Sequence, residues 1–182
     1  LSFVFAIRSR SFRVDPARLI PRTGRGKPAL LLCLLILAGC GGSAREQTRV
    51  VEGPGFRFAA PVGWRVGSAP RSARASRDSQ LLQVTTFPLL RPYSDGLFEK
   101  VRRELDARMQ GVAQQLHGTV AGSRTVTAGG IRSHSYRLNA RGDVVEYTFV
   151  LRGRREYELV CRRPAKASDA PCAGLITSFR VV

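Results

Sequence analysis

The spacing of apolar and polar positions divides the chain into two unlike parts. Residues 28–42 read PALLLCLLILAGCGG, with no charge from Ala29 to Gly39. Further on, the pattern becomes periodic. Gly55–Ala59 (GFRFA) alternates at period two and predicts a half-buried strand. Pro61-Val62-Gly63 turns the chain, and Trp64-Arg65-Val66 resumes it. Gly67–Ser79 is rich in Ser, Arg and Ala and reads as a loop. Leu81–Leu90 (LLQVTTFPLL) predicts another strand, with Pro88 placing its end at a sheet edge. Ser94-Asp95 then opens a helix reaching Leu116. Its stripe of Phe98, Val101, Leu105, Met109, Val112 and Leu116 lies on one face, and Gly118 supplies the stop.

Three turns follow, at Gly129-Gly130, Arg141-Gly142-Asp143 and Arg152-Gly153-Arg154-Arg155. They separate the predicted strands Arg124–Ala128, Ile131–Asn139, Val144–Leu151 and Glu156–Arg162. Strands joined by such short turns run antiparallel. A short helix over Pro171–Ser178 turns Leu175, Ile176 and Phe179 inward. The pattern therefore predicts an α+β domain, an antiparallel sheet meander with one long and one short helix.

The first apolar run is too short to span a membrane, which takes about 20 residues. Its flanks fit a secretory leader: Arg22, Arg25 and Lys27 ahead, Leu30–Leu37 as the apolar core, Ala38 and Gly39 as small residues at a cut. Leu37-Ala38-Gly39-Cys40 resembles the lipobox of bacterial lipoproteins. That resemblance implies cleavage between Gly39 and Cys40 and a diacylglyceryl thioether on the Cys40 sulfur. The competing reading is a buried helix of a cytosolic domain, against which Gly39 and Gly41-Gly42 count as poor helix formers. A leader of 39 residues is long, and Leu1 is an unusual first residue. Both fit a reading frame extended upstream of a start at Val14 or Leu19. The expected organisation is a leader over 1–39, a lipidated cysteine and flexible tether over 40–52, and one domain over 53–182. The expected place is outside the cytoplasm, held to the membrane by the lipid.

Location then reassigns the cysteines. Cys33 leaves with the leader and Cys40 is acylated, so Cys161 and Cys172 remain as an even pair in an oxidising compartment. A disulfide between them is expected; two buried free thiols are the alternative. Neither His117 nor His134 has metal-ligand spacing to a cysteine, and no C-x-x-C is present, so no metal and no cofactor are expected.

Residues 40–182 carry 23 Lys and Arg against 12 Asp and Glu, a net charge of +11. Two clusters stand out, Arg152/Arg154/Arg155 in a turn and Arg162/Arg163/Lys166 in the following loop. Strand Glu156–Arg162 places them at opposite ends of the sheet, a dispersed field rather than one phosphate pocket. Outside the membrane such charge suits an anionic lipid or wall polymer, and a protein partner is a further candidate. Only Lys100 and Lys166 among the 23 are lysines, so a GC-rich genome would produce the same skew without any polyanion.

Phe56-Arg57-Phe58-Ala59-Ala60-Pro61-Val62-Gly63-Trp64 and Leu175-Ile176-Thr177-Ser178-Phe179-Arg180-Val181 resemble the opening F-x-F-x-x-P-x-G-W and closing I-x-x-S-F-R of the PsbP-like fold. That fold is shared by an accessory subunit of photosystem II, a nuclear-import factor and many bacterial envelope lipoproteins. The resemblance implies an α/β/α sandwich and a non-enzymatic role, with no catalytic set to carry over. The cysteine pair and the arginines lie outside its pattern.

Searching for chemistry yields little. G-x-S-x-G, H-E-x-x-H and G-x-x-x-x-G-K-[ST] are absent. His117 suits a helix C-terminus, and His134 lies mid-strand between serines. Glu99, Glu104 and Asp106 share the long helix with four cations, which describes a solvated ion-pair face. Trp64 behind a Pro-x-Gly turn reads as the cover of a core end, with an exposed stacking ring as the alternative. Arg141-Gly142-Asp143 reads as a turn. The expectation is a lipid-anchored binding or accessory domain with no nucleic acid partner. The alternatives are an enzyme of wall or lipid and a basic cytosolic nucleic-acid-binding protein.

Overall fold

The structure is a computed structural model and describes residues 47–182. The predicted leader, Gly39, Cys40 and the lipobox-like tetrapeptide lie outside the described residues.

Two sheets form the body. The smaller has three strands: β1 (Thr48–Gly53), β2 (Phe56–Pro61) and β10 (Arg180–Val181), in the order β1-β2-β10. The larger has seven: β3 (Arg65–Ala69), β4 (Ser72–Arg77), β5 (Gln80–Pro88), β6 (Gly118–Ala128), β7 (Ile131–Ala140), β8 (Asp143–Arg152) and β9 (Arg155–Pro164). Their spatial order is β3-β4-β5-β9-β8-β7-β6, antiparallel throughout. A 3-10 turn at Asp95–Leu97 leads into helix α1 (Phe98–Gln115), and α2 (Ala170–Ser178) follows β9.

Alternation along β8 and β9 assigns the faces. Val145 and Phe149 of β8 join Tyr136 and Leu138 of β7 under Leu105, Met109 and Ala113 of α1. Their neighbours of opposite parity, Val150 on β8 and Tyr157, Leu159 and Cys161 on β9, meet Leu175 and Ile176 of α2 on the reverse face. Phe56 and Phe58 of the small sheet join this second core, with Phe56 edge-on to Tyr157. The two helices thus cover opposite faces, and the small sheet shares the second layer with α2.

Several expectations need correction. Thr48–Glu52, expected within the tether over 40–52, belongs to strand β1 instead, registered from Thr48↔Pro61 to Gly53↔Phe56. Val51 is buried there while Val50 faces solvent. The predicted loop at 67–79 is instead the β3–β4 hairpin and the turn into β5. β4 alternates, but with alanines, since Ala73 and Ala75 are fully buried where β1 packs on the sheet. Residues 56–61 do not join the large sheet. β5 is an inner strand, and Pro88 is tolerated because it is the last residue of the ladder. Gly118 does not end α1 in the left-handed conformation. His117 does so, with φ 52°, and Gly118 opens β6 against Asn139 and Ala140 with no room for a Cβ. Arg141 and Gly142 both have positive φ in the two-residue β7–β8 turn, the backbone that a primed hairpin turn requires.

Candidate functional site

The face of the large sheet that carries α1 is divided. Register fixes which side chains stand side by side. One row across the sheet runs Arg65–Ser76–Leu81–Arg162–Val145–Leu138. The next runs Gly67–Arg74–Gln83–Val160–Tyr147–Tyr136, and a third Ala69–Ser72–Thr85–Glu158–Phe149–His134. α1 lies over β6 and β7, at the right-hand end of these rows.

Under the helix, charges are matched. Arg108 of α1 donates to Glu156 at 2.9 Å and Glu158 at 2.5 Å, and its guanidinium stands 4.9 Å over the Phe149 ring. Burial pushes the Glu158 carboxyl above its ordinary range; Arg108 opposes the shift and Glu156 adds to it. Burial likewise raises the Tyr147 hydroxyl to about 12. Tyr136 donates to Asp106 at 2.8 Å, and its own ionisation is pushed far up by burial and by that carboxylate. Arg102 pairs with Glu99 and Asp106 along the helix, and the Arg102 hydrogen bond holds Glu99 below its ordinary range.

His134 is part of this core. Its ring stacks on Phe98 with centroids 3.7 Å apart, and its Nε2 is 3.1 Å from the Phe98 carbonyl oxygen. Burial lowers its pKa, while the Phe98 carbonyl and Glu99 act the other way. The ring is stacked and buried, 3% exposed.

Beyond the reach of α1 the same face is open. Arg65, Ala69 and Arg74 are exposed, and Ser72, Ser76, Gln83, Thr85 and Arg162 are half-buried. Arg74 lies along the bare backbone of Gly67. No carboxylate stands on β3, β4 or β5 on this face, and the Arg162 Nε is buried without a hydrogen-bond acceptor. The interstrand spacing of about 4.8 Å puts the Arg65 and Arg162 backbones about 14 Å apart in one row.

The expected cations are distributed as the strand between them requires. Arg152, Arg154 and Arg155 are exposed at the β8–β9 turn, and Arg154 donates to the Leu90 carbonyl. Arg162 and Lys166 lie at the other end of β9. Arg163 must be withdrawn from the solvent-facing set. It points to the reverse face, is buried, and donates to the carbonyls of Pro164, Ala165 and Ala167, tying down the loop before α2. Neighbouring residues on a strand face opposite ways, so Arg162 and Arg163 could not both serve one surface.

On the reverse face Cys161 and Cys172 form a disulfide between β9 and α2, with Cα atoms 5.4 Å apart. Glu146 is buried beside it and bonded to Arg137 at 2.8 Å, with Arg124 at 3.7 Å. The space these residues share with Thr148, Leu159, Leu175 and Ile176 cannot admit a water. Trp64 is buried in the core of this face. Among the described residues no group of three or more His, Cys, Asp or Glu could hold a metal ion, and no helix is long and apolar enough to cross a membrane.

No protein-family model and no curated protein matches the sequence. Solved structures do match. The cyanobacterial PsbP protein (CyanoP) of Synechocystis sp. PCC 6803 is similar over 80% of this chain and 99% of its own, with TM-score 0.57 and 11% identity. A crystal structure from Bacteroides thetaiotaomicron VPI-5482 is similar over 76% of this chain, with TM-score 0.51 and 12% identity; the likeness spans about half of that longer chain, 49%. At such identities the likeness speaks for the fold alone.

Proposed function

We propose that the chain is an envelope lipoprotein, anchored through a lipid on Cys40, whose PsbP-like domain binds a partner rather than catalysing a reaction. One observation carries the binding role. Among the described residues, the buried imidazole, carboxylate and guanidinium side chains, His134, Glu146, Glu156 and Arg163, are spent inside the fold on stacking, ion pairs and loop carbonyls. General acid–base work needs a group within hydrogen-bond reach of a substrate, and these groups face packed side chains. The similarity to CyanoP supports the PsbP-like reading. The anchor rests on Leu37-Ala38-Gly39-Cys40 behind its basic and apolar flanks.

The test is the mass of the N-terminal peptide from the protein isolated from membranes. A chain beginning at Cys40 with a diacylglyceryl thioether is expected, and Cys40→Ser is expected to leave an unprocessed precursor. An unmodified, uncleaved Cys40 in the wild-type chain would remove the lipoprotein reading and restore the basic cytosolic one.

A further inference from the structure

The described chain begins at one particular end of the large sheet. The Gln47 carbonyl accepts from the Val62 amide at 2.8 Å, and Arg49 donates to the Trp64 carbonyl, one residue before β3 starts. Register carries this end across the molecule: the start of β3 meets the β4–β5 turn, the start of β5 meets the end of β9, and the end of β9 meets the β7–β8 turn. Six cations gather there, Arg49, Arg65, Arg77, Arg141, Arg162 and Lys166. The acids at the same end are Asp78, Asp143 and Asp169, of which Asp78 lies 3.8 Å from Arg77. Val62, 53% exposed, projects from the β2–β3 turn beside the incoming chain.

We infer that this end of the domain docks on the anionic phospholipid surface of the membrane that holds the anchor, leaving the Arg152/Arg154/Arg155 end turned away. The inference rests on the lipid anchor proposed above. Only Gly41–Gln47, seven residues, separate Cys40 from β1. Seven residues reach at most about 25 Å. β9 is 10 residues long, so the far end stands about 30 Å farther out. Surface potentials decay over about 8–10 Å at ordinary ionic strength. The near cations therefore sample the leaflet's field and the far cluster does not. Arg141 and Lys166 sit on a turn and a loop, free to reach headgroups, and Val62 offers an apolar tip at the same level.

The test uses the lipid-anchored protein processed from the full-length chain, with a fluorophore at either Val62→Cys or Arg152→Cys, the remaining cysteines being the acylated Cys40 and the Cys161–Cys172 disulfide. It is reconstituted in phosphatidylcholine vesicles with about 30% phosphatidylglycerol and a headgroup nitroxide quencher. The label at 62 is expected to be quenched more than that at 152, and the excess should fall in high salt or in pure phosphatidylcholine. Replacing Arg65, Arg141 and Lys166 with Gln should cut the docked-to-free ratio about fivefold per charge, the counterpart of about 1 kcal/mol per basic residue at an anionic leaflet. Quenching at 62 that ignores salt, lipid charge and all three substitutions would overturn the docking, as would stronger quenching at 152. The mass of Cys40 in the same preparation reports separately on the anchor. An unmodified Cys40 removes the lipoprotein reading, whereas a lipidated Cys40 with charge-independent quenching removes only the docking.

Discussion

The two halves of one sheet face solve the problem of charge in opposite ways. Under α1, Arg108, Arg102, Glu156, Glu158 and Asp106 are paired with one another around an aromatic core of Tyr136, Tyr147 and Phe149. On β3, β4 and β5, the same face carries Arg65 and Arg74 among small polar side chains, with no carboxylate beside them. Burial explains the contrast. A carboxylate under a helix loses its hydration and must be compensated by a partner, whereas an exposed guanidinium is compensated by water and is left available. Charge under α1 supports the fold; charge on the open half is free for something outside it.

The largest break in this comparison is steric. Phe149 is fully buried beneath α1, and Phe149→Ala should cost about 3–5 kcal/mol in urea unfolding. Leu81, half-buried on the open half, should cost about 1 kcal/mol or less on the same change. Equal losses would mean that both halves are covered alike.

Next is the ion-pair cluster. Arg108→Met strands Glu156 and Glu158, whose side chains are 3% and 16% exposed, and should cost about 3 kcal/mol near neutral pH. The loss should shrink as the pH falls. Glu158 already takes up its proton above 4.5, and a protonated carboxyl needs no cation. A loss constant down to pH 4 would assign the effect to packing of the Arg108 stem instead.

Much of this architecture could be read from the sequence. The α1 stripe, the three β6–β9 turns, the alternation of β8 and β9, and the Cys161–Cys172 pair all carry strong local signals, because large side chains or obligatory turn residues mark them. What escaped reading is small or non-local. Ala73 and Ala75 make β4 look like a loop, yet both are fully buried where β1 packs on β4. Thr48–Gly53 follows Gly-Gly-Ser and has one buried valine, so its strand character comes from pairing with β2 rather than from its own pattern. The division of the open face was illegible for a related reason. Which arginines find carboxylates depends on where α1 comes to rest, and Arg162 and Arg163 differ only by the side of the sheet they face.

His134 offers a smaller effect with a definite sign. Its folded pKa lies below the ordinary 6.5, because burial disfavours the charged ring. Above pH 6.5 both folded and unfolded chains carry it neutral, and it contributes no pH dependence. As the pH drops through 6.5 the unfolded chain takes the proton first, so stability falls until the folded pKa is reached and then levels. The slope from this one group is at most about 1.4 kcal/mol per pH unit. His134→Gln should flatten stability as the pH falls below 6.5, with the wild-type slope retained in an Arg74→Gln control on the open half. An unchanged slope in His134→Gln would place the acid sensitivity elsewhere.

The smallest expected effect is the one that gives the comparison its meaning. Arg65→Gln and Arg74→Gln, singly or together, should change unfolding stability by no more than about 0.5 kcal/mol, since they remove exposed cations that hold no carboxylate. Relief of repulsion among the surrounding arginines could even raise the midpoint slightly at low salt. Conserved stability alone would describe any idle surface. Weaker association with membranes or partners at unchanged stability would separate an open functional face from a merely solvated one. A loss above about 1 kcal/mol would show these arginines to be built into the fold after all, making the two halves variations of one design.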